Sequence, residues 1–510
     1  VSTQASPASG ASESVPVTAA GASDRWERWG DRLNPLVVKE VRQGLRTRIF
    51  WVSFGLLLFA CLVLSLVAYA DTQGASYSRE GRTYFFSFFV CLGVVHFGVI
   101  PFNAYRSLAR EREDETWVLL LLTGLGPRRI LRGKVASFLV QAALYASAVG
   151  PFLLFSYFLN GIDLPTILVV LLLGGVWMVF LTLASVCAAT LADGRMGRAA
   201  VRFALVGVLA VTFFQALTFV FIITQGRGTG FTFDQTFLLG VGVGLWLMLT
   251  DGWLLFEASV ARLSLMTENY TRHPRRALVV QVLLTFTGTV AVWWYLDFHK
   301  DVADVAGIFG TMHLIGTGLF TMSDVDGQAR PLRAGTRPWS LFKPGALRGF
   351  RLTVLLLLGW ALGCSVLLAM SGEATLDWVR NWSRMGMAFT AMALYGVLFL
   401  SLALLLGRMP ASDRFASPVS VRLLFVALTT LASGLPPLVA VFLGLESGDP
   451  LLNLLNPLVG TVNFGRYDYD EPYGTRMTPE LLLCVALVTL LAAFAADRVL
   501  AERERRAHAS

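Results

Sequence analysis

The sequence predicts an all-α integral membrane protein of about twelve transmembrane helices. Three observations carry that expectation. The chain of 510 residues is 55% hydrophobic and only 15% charged, where an average soluble protein carries about 25% charged residues. Twelve apolar windows recur along it, each close to the roughly 20 residues that cross a bilayer core of about 30 Å. The basic residues also alternate from loop to loop. With the N-terminus placed in the cytoplasm, 34 of the 42 lysines and arginines fall on the cytoplasmic side and eight on the other. A bias of that size is the signature of membrane orientation, so both termini are expected in the cytoplasm. The net charge of +8 then reports topology and gives no reason to expect nucleic acid as a partner.

Taken in order, residues 1–23 are rich in Ala, Ser and Gly and lack the apolar core of a cleavable signal peptide. They read as a disordered tail. Residues 24–49, DRWERWGDRLNPLVVKEVRQGLRTRI, read as an amphipathic interfacial helix. Asn34 is placed to cap it and Pro35 to begin it. Val38, Val41, Leu45 and Ile49 repeat at helical spacing, with Lys39, Arg42 and Arg46 on the other face and Trp26 and Trp29 at the flank. That pattern suits a helix lying in the headgroup region of the bilayer.

Six spans are expected near 50–70, 84–102, 135–159, 166–191, 202–223 and 237–257. Six more fall near 277–296, 303–322, 352–370, 385–407, 422–444 and 480–497. The two sets share a rhythm: each has a short external loop after its first helix and a long basic cytoplasmic loop after its second. Two six-helix units over 50–257 and 277–497 follow from it, with a cytoplasmic connector at 258–276 and a basic cytoplasmic tail at 498–510. Tandem duplication stays open, because VDGQARPLRAGTRPWSLFKPGALRG (325–349) has no acidic–basic run like the one in the first half.

That run opens AREREDETWVLLLLTGLGPRRILRGK (109–134), between the second and third spans. Its apolar part, Trp117 to Leu125, makes about 14 Å of helix, too short to cross a bilayer core. The segment must lie along the membrane surface or press against another protein.

The chain shows no GxxxxGK[ST] phosphate-binding loop, so it is not expected to hydrolyse ATP. HExxH, CxxC and GxSxG are also missing, and no catalytic residue is assigned. Five widely spaced cysteines, all in or beside apolar segments, argue against a disulfide framework or a zinc site. No metal is expected. Ionisable groups inside spans are functional candidates by default, and His96, Asp251 and His313 are the three candidates for a transport path. Each looks isolated in the sequence. For the two histidines, a bond to a neighbouring helix is the simpler reading.

The quoted motifs resemble those of the ABC-2 type transporter permeases, the membrane subunits of bacterial ABC exporters. Asn34, Pro35, Lys39, Glu40 and Arg42 match the pattern NP-x-x-x-KE-x-R before the first span. Arg110, Glu111, Arg112, Glu113, Thr116, Leu120, Leu121, Thr123, Pro127, Ile130, Gly133 and Lys134 match the stretch that follows the second. Glu115 departs from it where Gly is usual, as do Gly124 and Gly126 where Pro and Ser are usual. LLNLLNPLVGTVNFGR (451–466) is similar to the external re-entrant region before the last helix of such permeases.

The resemblance implies a bacterial inner-membrane exporter that works with a separate ATPase, which would bind the ATP and Mg; this chain would need no cofactor. It implies that 109–134 holds a coupling helix docked on that ATPase, with Arg110, Glu111, Glu113, Glu115 and Arg128 as contacts. Thr116, Gly124 and Pro127 would shape the turn, and Lys134 closes the pattern. One chain suffices if both halves are permease units; otherwise it must form a homodimer. Twelve spans also suit a facilitator-type secondary transporter, and LADGRMGRAAVR (191–202) is close to that class's cytoplasmic signature turn. There, however, a glycine intrudes between Asp193 and Arg195, and the turn joins the fourth and fifth spans. A membrane scaffold is the third reading.

Overall fold

The computed structural model describes residues 35–71, 80–114, 117, 125–159, 162–192, 194–225, 234–326, 328–333, 337, 339–371, 385–408, 417–445, 449–466 and 477–509. Among them every regular element is helical, and twelve helices are long and apolar enough to cross a membrane. The chain is a multi-pass, all-α membrane protein. It separates into two compact units, Val1–Met248 and Leu249–Ser510.

The first unit begins with α1 (Pro35–Leu45), followed by α2 (Arg48–Asp71). Next comes α3, which runs as Glu80–Gly93, a π-helical turn at Val94–Val99, and Ile100–Glu113. The unit continues with α4 (Pro127–Phe158), α5 (Leu164–Ala189), α6 (Arg195–Gln225) and the first part of α7 (Gln235–Leu263). The central helix is α3, which packs on α2, α4, α5 and α6.

Here the helix ends differ from those the apolar windows suggest. The second span does not stop near residue 102. It continues through the charged run to Glu113, 33 residues in all from Gly81, or about 50 Å of helix. Hydropathy marks only the lipid-embedded part of a helix, and Arg and Glu are themselves good helix formers. The same happens at the C-terminus, where the basic tail is the continuation of the last helix as far as Ala509.

The second unit holds the rest of α7, then α8 (Arg272–Tyr295), α9 (Lys300–Met322) and α10 (Ala346–Met370). It ends with α11 (Met385–Arg408), α12 (Pro418–Leu443), the short α13 (Val459–Gly465) and α14 (Pro479–Ala509). Most of α11 is buried, against α9, α10, α12, α13 and α14. Among the described residues α9 and α10 share the most extensive helix contact. Glycines make that approach: a Cβ on Gly310 would collide with the Trp360 indole, and one on Gly349 with the Thr321 carbonyl. Small residues let helix backbones approach where lipid provides no hydrophobic drive between helices.

The segment before the last span folds as turns leading into α13. Asn453 and Asn456 are fully buried there. The Asn456 side chain accepts from the backbone N–H groups of Leu458 and Val459 at 3.1 and 3.0 Å, and the Tyr395 hydroxyl donates to the Leu454 carbonyl at 2.7 Å.

Candidate functional site

The charged run at the end of α3 is no solvated loop. Successive residues of ARERE grip different helices. Glu111 faces α4, where its Oε1 lies 2.6 Å from Lys134 Nζ. The Arg112 guanidinium donates to the Ala189 carbonyl at the C-terminal end of α5, at 2.8 Å, where a helix favours a cation. Glu113 pairs with Arg198 at the start of α6, at 3.2 Å. Arg110 is left exposed.

Lys134 is the hub. It is one of only four lysines in the chain, and its side chain is almost fully buried. Its ammonium donates to Glu111 at 2.6 Å, to Glu40 on α1 at 3.2 Å and to the Ser107 hydroxyl at 3.3 Å. Three donors thus meet three acceptors. Ser107 and Glu111 stand one helical turn apart on the same face of α3. A compact ammonium fits such a three-way junction better than the planar fork of arginine. Lys134 therefore joins α1, α3 and α4 at one point. Gly44 reinforces the contact, because a Cβ there would strike the Gln141 amide of α4.

The other predicted contact residues divide. Lys39 and Arg42 are exposed on α1. Pro127 is the first residue of α4, after an extended Gly126, and Arg128 is half-buried. Asn34, Glu115, Thr116 and Gly124 lie outside the described residues, as does Asp193 of the facilitator-like turn. Trp117 is buried.

Of the three intramembrane candidates, His96 sits in the π-helical turn of α3 with its Nε2 3.2 Å from the Ala142 carbonyl of α4. A carbonyl can only accept, so Nε2 carries the proton. It borders an apolar cavity of about 410 Å³ lined by Phe89, Phe97, Ala143, Val170 and Met178. Asp251 and His313, isolated in sequence, meet in the second unit at 3.5 Å.

A second ionic centre, which sequence reasoning misses, lies in the second unit. The Asp324 carboxylate accepts from the Tyr270 hydroxyl at 2.7 Å, from Arg275 at 3.2 Å and from the Gly345 N–H at 3.0 Å. Arg275, 2% exposed, also donates to the carbonyls of Thr321, Leu341, Lys343 and Gly345. Gly345 holds φ +128° at this junction, a conformation that glycine adopts without a Cβ penalty. Burial, and then the adjacent Asp324 carboxylate, push the Tyr270 phenol well above its usual range, so it stays protonated as a donor. Around this centre, Arg408 pairs with Asp326 and Arg503 donates to the Arg408 carbonyl. Arg348 and Arg351 reach α14 through Glu504 at 2.7 Å and Asp497 at 2.6 Å. The single visible hint was the acidic pair of DVDGQ (324–328), inside a loop otherwise basic.

No protein-family description, curated protein or solved structure matches the chain.

Proposed function

We propose that this protein is the membrane permease of an ATP-driven exporter of the ABC-2 type, acting with a separate ATPase subunit at a bacterial inner membrane. What supports the reading most is the convergence at Lys134. The pattern residues come from three stretches of sequence, before the first span, after the second and at the start of the third. Glu40, Glu111 and Lys134, one from each, form a single buried ion cluster.

The cluster has a mechanical consequence. A force applied by an ATPase to the protruding end of α3 is passed to α1 and α4 through Lys134, to α5 through Arg112 and to α6 through Glu113. ATP-driven closure of the ATPases would in this way tilt a bundle of helices together and alternate access to the two sides of the membrane.

The geometry also selects the residues for a docking test. Glu111 is engaged by Lys134, so reversing its charge would damage the fold as well as any interface. Glu113 is likewise engaged by Arg198, whereas Arg110 is exposed. The substitution Arg110→Glu is expected to abolish co-purification of the ATPase while membrane insertion and melting temperature stay near those of the parent. Undiminished ATPase capture by the folded variant sinks the docking assignment.

A further inference from the structure

Asp251, near the middle of α7, meets groups from two other helices. His313, near the middle of α9, places its Nε2 3.5 Å from Asp251 Oδ1. Gln281 of α8 donates from its amide nitrogen to the same carboxylate oxygen at 2.5 Å and to the Thr250 hydroxyl at 3.3 Å. Gln281 is only 3% exposed, and among the described residues its Oε1 finds no hydrogen-bond donor. Asp251 and His313 keep 26% and 33% of their side-chain surface open, so neither is sealed inside the helix packing.

Charge accounting decides what this group can hold. With aspartate ionised and histidine neutral, the pair carries one uncompensated negative charge among membrane-spanning helices, which is costly in a low-dielectric surrounding. Among the described residues no lysine or arginine pairs with it. Along α7 the next titratable group is another acid, Glu257, about 9 Å further along the axis, and along α9 it is Asp304, about 13 Å back. The arginines of α8, α10 and α11 lie within the first or last two turns of those helices. Within their interiors these helices bring only the Cys364 thiol and the Tyr395 phenol. One added proton makes the pair electroneutral, whether it resides on Asp251 or His313. A metal cation would want more oxygen ligands than one carboxylate, one amide and one hydroxyl supply.

We infer that Asp251, His313 and Gln281 form a proton-binding site inside the second unit, loaded and unloaded as its helices move. Loading transfers a proton from hydronium to the pair, forming one O–H or N–H bond and leaving water; unloading is the reverse. Gln281 fixes the carboxylate and offers its Oε1 to the incoming proton's water. The inference uses the second unit's geometry alone and does not depend on the exporter reading.

Infrared difference spectroscopy between acid and alkaline pH, on the full chain in lipid nanodiscs, tests it without an ATPase. The parent is expected to show a titrating carboxyl or imidazole band that Asp251→Asn removes and His313→Gln moves in pH. Sodium at fixed pH should leave the spectrum unchanged. His313→Gln, which keeps a hydrogen-bonding side chain, provides the answer if Asp251→Asn does not fold. Identical titration in the parent and the folded variants overturns the proposal. A sodium-dependent band at constant pH overturns it equally, by assigning the site to a metal cation.

Discussion

Replacing Lys134 by methionine is expected to destabilise the first unit by about 3–5 kcal/mol, the usual result of removing one partner from a buried ion pair. The substitution keeps the side-chain volume and deletes only the ammonium. Glu40 and Glu111 then face each other with no cation between them, and Ser107 loses its donor. The melting temperature of the purified chain should fall on the order of 10 °C, and hydrogen exchange should show α1 released from α4. The triple variant Glu40→Gln, Glu111→Gln, Lys134→Met removes all three charges and is expected to regain most of the loss. If Lys134→Met melts like the parent, the cluster does not hold these helices together.

The second large effect is expected at Arg275. Its guanidinium is buried and spreads its donors over four backbone carbonyls and Asp324. Arg275→Met leaves those acceptors without their shared donor, for a loss again of about 3–5 kcal/mol. Arg275→Lys should recover only a minor part, because a point charge cannot reproduce a planar fork of five donors. The loop over 323–345 is the part that loosens first, since Arg275 ties both of its ends. Limited proteolysis should cut that loop in either variant under conditions that leave the parent intact. Full protection of the loop in Arg275→Lys would show that charge alone, and not the fork, maintains it.

The spans were legible because lipid imposes a length and a composition that a single window can read. The extent of the helices was not. From Leu108 to Glu113 on α3 and from Arg498 to Ala509 on α14, polar helix continues where hydropathy stops. The 109–134 stretch was legible as a pattern of residue types, but its contacts were not: nothing in the spacing says that Glu111 turns inward while Arg110 turns out. The Asp251–His313 contact joins residues 62 apart in sequence, and the centre at Arg275 is built mainly from loop carbonyls, which leave no trace in residue identity. Both depend on tertiary packing, which fixes partners that local periodicity does not encode.

The 323–349 segment also has a physical reading that its sequence obscured. It lacks the acidic–basic run of the first half, yet it too is bound to the helices around it by buried charge. In the first unit the cluster centres on a lysine between two carboxylates. In the second it centres on a carboxylate, Asp324, held by an arginine, a tyrosine and a backbone N–H. Each cluster involves the segment before its unit's first span and the loop or helix end after its second.

The most direct test of the exporter reading is mild-detergent purification of the tagged full chain from its native host, with mass spectrometry of what accompanies it. A Walker-motif ATPase in fixed ratio to this chain is expected, and that ratio distinguishes a single fused permease from a dimer. A monodisperse preparation without any ATPase contradicts the exporter reading, and would leave a twelve-helix transporter of another kind.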